Sequence, residues 1–284
     1  MIDKIIQIAY LGFLLALSVS GLSQSNVQAM VLDSKTHKAI PYVNIGIPSL
    51  AIGTVSDLKG NFDWSGSDDQ DSVMFSCIGY ESKNLLYSQI KEQKTVYLNP
   101  IEYTLSNIEV KATRFGEEEI ILGARNKKRG LSLGFGSTQL GTEVGSKISI
   151  KQPFFVKSAH FVLNHAKGDS MIYRMNVYAL SEEGEVGEQL LKDQIIIRRE
   201  QKKGTINVDL EKYNIILEGD ILLCLEWLEN DNGKGNMGLS FDLKKGKQDP
   251  GIYFKSTSHA GFFKSNKINK YKPCFYLKGK ISTP

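Results

Sequence analysis

Four histidines (His37, His160, His165 and His259) are the side chains of this chain best suited to hold a metal or move a proton near neutral pH. A zinc hydrolase site needs ligands at fixed spacing on one face, as in H-E-x-x-H. None of the four has Glu three residues on, and no two share an i, i+2 strand face. His160 and His165, five apart on one expected strand, point to opposite sides. No metal and no other cofactor is expected on this spacing. Residues 130–134, Gly-Leu-Ser-Leu-Gly, match the nucleophile-elbow pattern in which a strained serine sits between a strand and a helix. Here the sequel is Phe135-Gly136-Ser137-Thr138, Gly-rich and without helical period, and no α/β alternation surrounds it. Residues 88–91, Ser-Gln-Ile-Lys, match a serine–lysine pattern by chance. The expectation is therefore no catalytic residue and no enzyme. The alternative is a periplasmic hydrolase in which Ser132 is the nucleophile. Asp68, Asp69 and Asp71, and separately Asn230, Asp231 and Asn232, carry oxygen ligands on turns but lack a full calcium-loop signature, so both read as solvated hairpins.

The strongest asymmetry lies at the C-terminus. Residues 244–280 hold ten lysines against the single acid Asp249, with aromatic residues interleaved. Lys264, Lys267, Lys270, Phe262, Phe263 and Tyr271 are the candidate binding residues: cations to attract a polyanion, rings to stack on it. The competing reading places the lysines on outward edge positions that block aggregation and the rings in the core.

The N-terminus sets the compartment. Lys4 precedes an apolar stretch, residues 5–17, followed by small and polar residues with Gly21 and Ser23 at the positions before a cut. That order is a secretory signal peptide, expected over residues 1–23, and the apolar run is shorter than the ~20 residues a membrane span requires. Three cysteines (Cys77, Cys224, Cys274) each sit in an apolar run. Buried thiols are the simpler reading, and an oxidising compartment would permit a Cys224–Cys274 bridge.

The elements that must position any site are strands. Between residues 26 and 98, about seven short runs are separated by turn chemistry, the pattern of a compact sandwich. Within them, Val31, Asp33, Pro41, Asn44 and Ile45, then residues 53–62 (Gly-Thr-Val-Ser-Asp-Leu-Lys-Gly-Asn-Phe), then residues 75–80 (Phe-Ser-Cys-Ile-Gly-Tyr) form a recognisable series. This region resembles the carboxypeptidase-regulatory-like domain, a transthyretin-like sandwich found at the N-terminus of many TonB-dependent outer-membrane receptors. Leu105-Ser106-Asn107-Ile108-Glu109-Val110 is similar to the segment that trails that domain. Ala29 departs from the family's usual Gly. The resemblance covers about a quarter of the chain and implies an accessory or interaction module without catalytic residues of its own; the chain is too short for a receptor's plug and barrel.

Residues 100–146 carry Glu117-Glu118-Glu119, a basic cluster at 125–129, and then Gly130, Gly134, Gly136, Gly141 and Gly145; they read as a linker passing into irregular β structure. Alternating runs return from residue 147 to 284. Ile221, Leu223, Leu225 and Trp227 share one face with Leu222 and Cys224 opposite, which predicts a central strand covered on both sides. The expected architecture is all-β: a seven-stranded transthyretin-like sandwich at 24–99 and a larger antiparallel jelly-roll-like β-sandwich at 147–284. The expected function is a non-enzymatic exported envelope module that binds an outer-membrane or periplasmic protein, or else an acidic glycan, and not nucleic acid.

Overall fold

The computed structural model describes residues 26–65, 67–101, 114–125, 132–137, 140–166, 171–199, 204–230, 237–245, 251–264 and 271–283. The expected signal peptide, the trailing segment at 105–110, Asp231 and Asn232 of the amide-rich turn, and the binding candidates Lys267 and Lys270 lie outside the described residues. The architecture is all-β, with two sandwich-like units. No helix among the described residues is long and apolar enough to cross a membrane.

The small unit holds β1 (Val27–Asp33), β2 (Asn44–Ile47), β3 (Ile52–Val55), β4 (Asn61–Trp64), β5 (Ser72–Ser76), β6 (Lys83–Leu86), helix α1 (Tyr87–Gln93) and β7 (Thr95–Leu98). They form two sheets, ordered β4-β1-β7 and β3-β2-β5-β6. Alternation puts Val27, Ala29 and Val31 of β1 inward, against Val43, Ile45, Phe62, Val73 and Phe75. Ala29 simply adds its methyl to this core. Asp57 and Gly60 make a tight turn between β3 and β4. Gly60 N–H donates to Asp57 C=O (3.0 Å), the Asp57 carboxylate accepts from Lys59 and Asn61 N–H, and Gly60 takes φ +76°. Gly79 sits in a turn at φ +89°, and Tyr80 after it bridges to Pro100. Residues 87–93, which hold the chance serine–lysine match, form a short helix whose Tyr87 and Ile90 are buried.

The large unit is one 13-stranded sheet folded on itself. Its strands are β8 (Ile120–Gly123), β9 (Ser132–Ser137), β10 (Glu143–Ala166), β11 (Met171–Leu180), β12 (Val186–Gln189), β13 (Ile195–Arg199), β14 (Gly204–Asp209), β15 (Ile216–Asn230), β16 (Met237–Lys245), β17 (Ile252–Lys255), β18 (Phe263–Lys264), β19 (Tyr271–Pro273) and β20 (Phe275–Ile281). The 24-residue β10 is the spine: it pairs with β14, β15, β16, β17 and β20 in turn, and register shifts at 150–154, 156–158 and 163–165 let it bend from one layer to the other. The glycine-rich stretch read as linker contributes more than expected, since β8 pairs with β20, β9 with β16, and β10 begins at Glu143. Ser132 opens β9, opposite Asp242 of β16, so its backbone is a sheet strand and not a strand-to-helix elbow.

β15 is the central strand that its alternation predicts. Ile221, Leu223, Leu225 and Trp227 enter the main core with Phe154, Phe161, Tyr173, Val177 and Phe275. Leu222 and Cys224, on the other face, are fully buried as well. All three cysteines are free thiols and buried.

Candidate functional site

On the second face of β15, Leu222 and Cys224 are covered by Leu180 and Tyr253 of the large unit, and Leu228 packs against Tyr42 and Val55 of the small unit. The joint between the units is built on a row of charges. The register sets Lys255 (β17) beside Glu143 (β10), Glu143 beside Glu226 (β15), and Glu226 beside Arg174 (β11). Four charges, positive, negative, negative and positive, thus cross four neighbouring strands on one face, and all four residues are buried. Arg174 Nε and Nη2 donate to Glu226 Oε2 at 2.9 and 2.8 Å, and Lys255 is ion-paired to Glu143. Asn176 Nδ2 donates to both carboxylates, 2.8 Å to each, and Tyr178 Oη donates to Glu143 (3.2 Å).

The two carboxyls respond differently to the same burial. Burial pushes Glu143 above the usual carboxylate range, with Lys255 pulling the other way. Burial opposes ionisation of Glu226 too, but the Arg174 guanidinium and then Lys255 outweigh it and hold Glu226 below that range. Among the described residues, Glu226 Oε1 is a buried polar atom without a hydrogen-bond partner.

Arg174 carries the row across to the small unit. Nη1 donates to the Tyr42 carbonyl (2.8 Å) and Nη2 to Asn44 Oδ1 (2.6 Å). Gln194, a further acceptor for Nη1, donates to Cys77 Sγ at 2.9 Å. Burial first of all pushes the Cys77 thiol up to about 11, so it is a neutral thiol here. A second contact is the loop after β17. Thr257 Oγ1 donates to Gly53 C=O (2.8 Å), Ser258 Oγ to Asn44 Oδ1 (3.2 Å), and His259 Nε2 lies 3.1 Å from the Asn44 carbonyl. The loop fits because Gly46 and Gly53 face each other across β2 and β3. A Cβ on Gly53 would stand 2.3 Å from the Ser258 carbonyl oxygen, and one on Gly46 2.8 Å from it. The third contact is apolar: Tyr42 and Val55 against Ile172 and Leu228.

Magnitudes rank these contacts. A fully buried large apolar side chain contributes about 1.5–3 kcal/mol, whereas a buried ion pair comes close to balancing its desolvation. The apolar patch therefore drives docking, and the charged row and glycine hollow fix its register.

Two of the six binding candidates named from the sequence meet in a cleft of about 620 Å³ along this seam. Phe262 and Lys264 line it together with Tyr178, Tyr253, Glu183 and Glu185. Phe262 stands edge-on to Tyr178 (5.3 Å between centroids), with the Lys255 ammonium 5.2 Å from its ring. The Lys264 ammonium lies 5.7 Å from the Tyr253 ring centre. Phe263 is 55% exposed and stacks on Phe254, and Tyr271 packs against the main core; neither lines the cleft. Sequence reasoning missed Glu143, Arg174, Asn176, Glu226 and Lys255. The signal available was a charge in phase with buried positions: Glu226 follows Leu222 and Cys224 at steps of two, inside a run of apolar residues.

With this geometry in hand, comparison with known proteins identifies the small unit. Residues 27–111 match the family model of the CarboxypepD_reg-like domain, in agreement with the resemblance read from the sequence. No curated protein matches the chain. Among solved structures, the chain is similar to the cysteine protease and lectin-like domains of Cwp84, a surface layer associated protein of Clostridium difficile (9% identity, TM-score 0.41, 92% of this chain and 60% of that one). It is also similar to a structure described as manganese lipoxygenase of Gaeumannomyces graminis with partial zonadhesin of Komagataella pastoris (11% identity, TM-score 0.22, 92% and 83%). A third is a structure of infectious bursal disease virus Gx strain (8% identity, TM-score 0.22, 92% and 66%). The chain thus spans less than two thirds of the first of these, and at such TM-scores none carries an argument about function.

Proposed function

We propose that this is a non-enzymatic, exported protein of a Gram-negative envelope, an adaptor whose two sandwiches act as one body toward an outer-membrane or periplasmic partner. One observation carries the reading: the CarboxypepD_reg-like domain is docked on the large sandwich through Arg174, the 257–259 loop and an apolar patch. Glu226 Oε1 apart, the polar side chains of that joint spend their hydrogen bonds on one another, as a lock does. A partner held by either unit is then positioned by both. Residues 1–23 would direct export and be removed.

The test is capture of the tagged mature protein from gently solubilised outer membranes. Reproducible enrichment of one envelope protein, competed away by added untagged protein, is the expected result. Enrichment of nothing above a tagged control would sink the adaptor reading.

A second reading is favoured by the seam cleft, where Tyr178, Tyr253 and Phe262 offer rings beside the Lys264 ammonium: recognition of an acidic glycan. If it holds, glycan-array binding to uronate-containing oligosaccharides falls at least tenfold in Phe262→Ala and Lys264→Ala. A signal unchanged by both substitutions would remove the cleft from consideration.

A further inference from the structure

Away from the seam, on the face of β10 turned from the core, three strands bring six side chains into two cross-strand rows. Asn207 (β14), His160 (β10) and Tyr276 (β20) form one, and Asp209, Ser158 and Lys278 form the next. His160 Nδ1 lies 2.6 Å from Asn207 Oδ1, and His160 Nε2 lies 2.9 Å from Ser158 Oγ. An amide oxygen can only accept, so Nδ1 carries the proton and Nε2 presents its lone pair to the Ser158 hydroxyl. Tyr276 stacks flat on the imidazole, 4.4 Å between centroids at 5°. That holds the ring in this orientation. Burial keeps the imidazole below its usual pKa; the Asn207 hydrogen bond pulls it up, and Lys278 and Arg125 lower it further. The ring is thus neutral and able to accept a proton near pH 7. Nucleophile, base and orienting amide stand in the order that acyl transfer uses.

We infer that Ser158 is an activated oxygen nucleophile, a covalent attachment site that takes an acyl group from an activated ester bearing an anionic group. The anionic preference follows from Lys278, opposite Ser158 on β20, and from Arg125, two cations against the single acid Asp209 opposite Ser158 on β14. Ser158 Oγ bonds to the acyl carbon as its proton passes to His160 Nε2. The carbon–oxygen bond to the leaving group breaks, the leaving group departs with the electron pair, and the imidazolium returns its proton to water. Retention, not turnover, follows from the leaving groups: an activated ester loses its leaving group far more readily than the resulting seryl ester loses the Ser158 alkoxide, so the acyl group stays. The site is thereby compatible with a non-enzymatic adaptor, and its test is independent of partner capture.

The probes are p-nitrophenyl acetate and mono-p-nitrophenyl succinate, with the full mature chain. About one equivalent of nitrophenolate per chain is expected, with the acyl group mapped by mass spectrometry to the peptide containing Ser158. Labelling is abolished in Ser158→Ala and about a hundredfold slower in His160→Gln, the usual size of a lost general base. The succinate ester reacts faster than the acetate, and Lys278→Ala erases that difference. Asn207 is a positioning residue. Asn207→Ala moves the pH midpoint of labelling downward, because its hydrogen bond raises the His160 pKa while the facing Lys278, Arg125, Asp209 and Tyr276 are unchanged. Acylation spread over lysines, or an unaltered rate in Ser158→Ala, would overturn the assignment. So would continuous release far beyond one equivalent, which would make the protein a hydrolase. Equal melting temperatures of wild type and variants separate chemistry from misfolding, and the wild-type pH profile stands even if His160→Gln fails to fold.

Discussion

Replacing Arg174 by Met is expected to cost about 3–5 kcal/mol, the usual penalty for removing one partner of a buried ion pair. The large value arises less from the lost pair than from what stays behind. Glu226 is fully buried, one of its oxygens already has no hydrogen-bond partner among the described residues, and the other would lose the guanidinium. The Tyr42 carbonyl and Asn44 side chain, on the small domain, would each lose a charged donor. Urea denaturation followed by both tryptophan fluorescence and far-UV dichroism measures the loss. Trp64 reports on the small domain and Trp227 on the large one. Adding Glu226→Gln to Arg174→Met should recover part of the stability, since the uncompensated charge is then gone. If Arg174→Met changes stability by less than about 1 kcal/mol, the size of an exposed ion pair, the row is not a buried joint.

The second large effect is expected at a residue with no side chain. Gly53→Val should break the docking of the two units and strain the β2–β3 pair of the small one. Even its Cβ would stand 2.3 Å from the Ser258 carbonyl oxygen and 2.9 Å from the Ile45 carbonyl oxygen. Those are backbone atoms, which cannot swing aside as a lysine tip could. Overpacking of this kind typically costs about 1–3 kcal/mol, roughly the worth of one buried apolar side chain of the Tyr42–Leu228 patch. The expected readout is a larger radius of gyration in small-angle scattering and two thermal transitions in place of one. Gly261→Ala is the control, because a Cβ there meets nothing within 4 Å and its φ is not in the left-handed region. A single transition at the wild-type temperature for Gly53→Val would show that the 257–259 loop does not hold the domains together.

The fold class and the small domain are legible without any structure. Short alternating runs, the Asp57–Gly60 turn and the residues at 75–80 are local signals, read over a few residues, and they fall within the matching span 27–111. The central position of β15 is legible for the same reason: alternation shows directly that both faces of residues 221–225 are apolar.

Local signals reach no further. Arg174 and Asn176 alternate with Tyr173, Met175 and Val177 as any solvent-facing residues would, and nothing within ten residues says that another domain covers them. Arg174 reaches Tyr42 and Asn44, some 130 positions away, and Asn176 reaches Glu143 and Glu226 on two other strands. The same holds for Gly53, a plain strand glycine until the Ser258 carbonyl arrives from 205 positions downstream. Ser158, His160 and Asn207 are split between two strands, and the β10–β14 register is what makes them one site. Periodicity specifies which face of an element is apolar. Which charges the packed domains close over depends on long-range register, and no stretch of chain carries that register until the strands have paired.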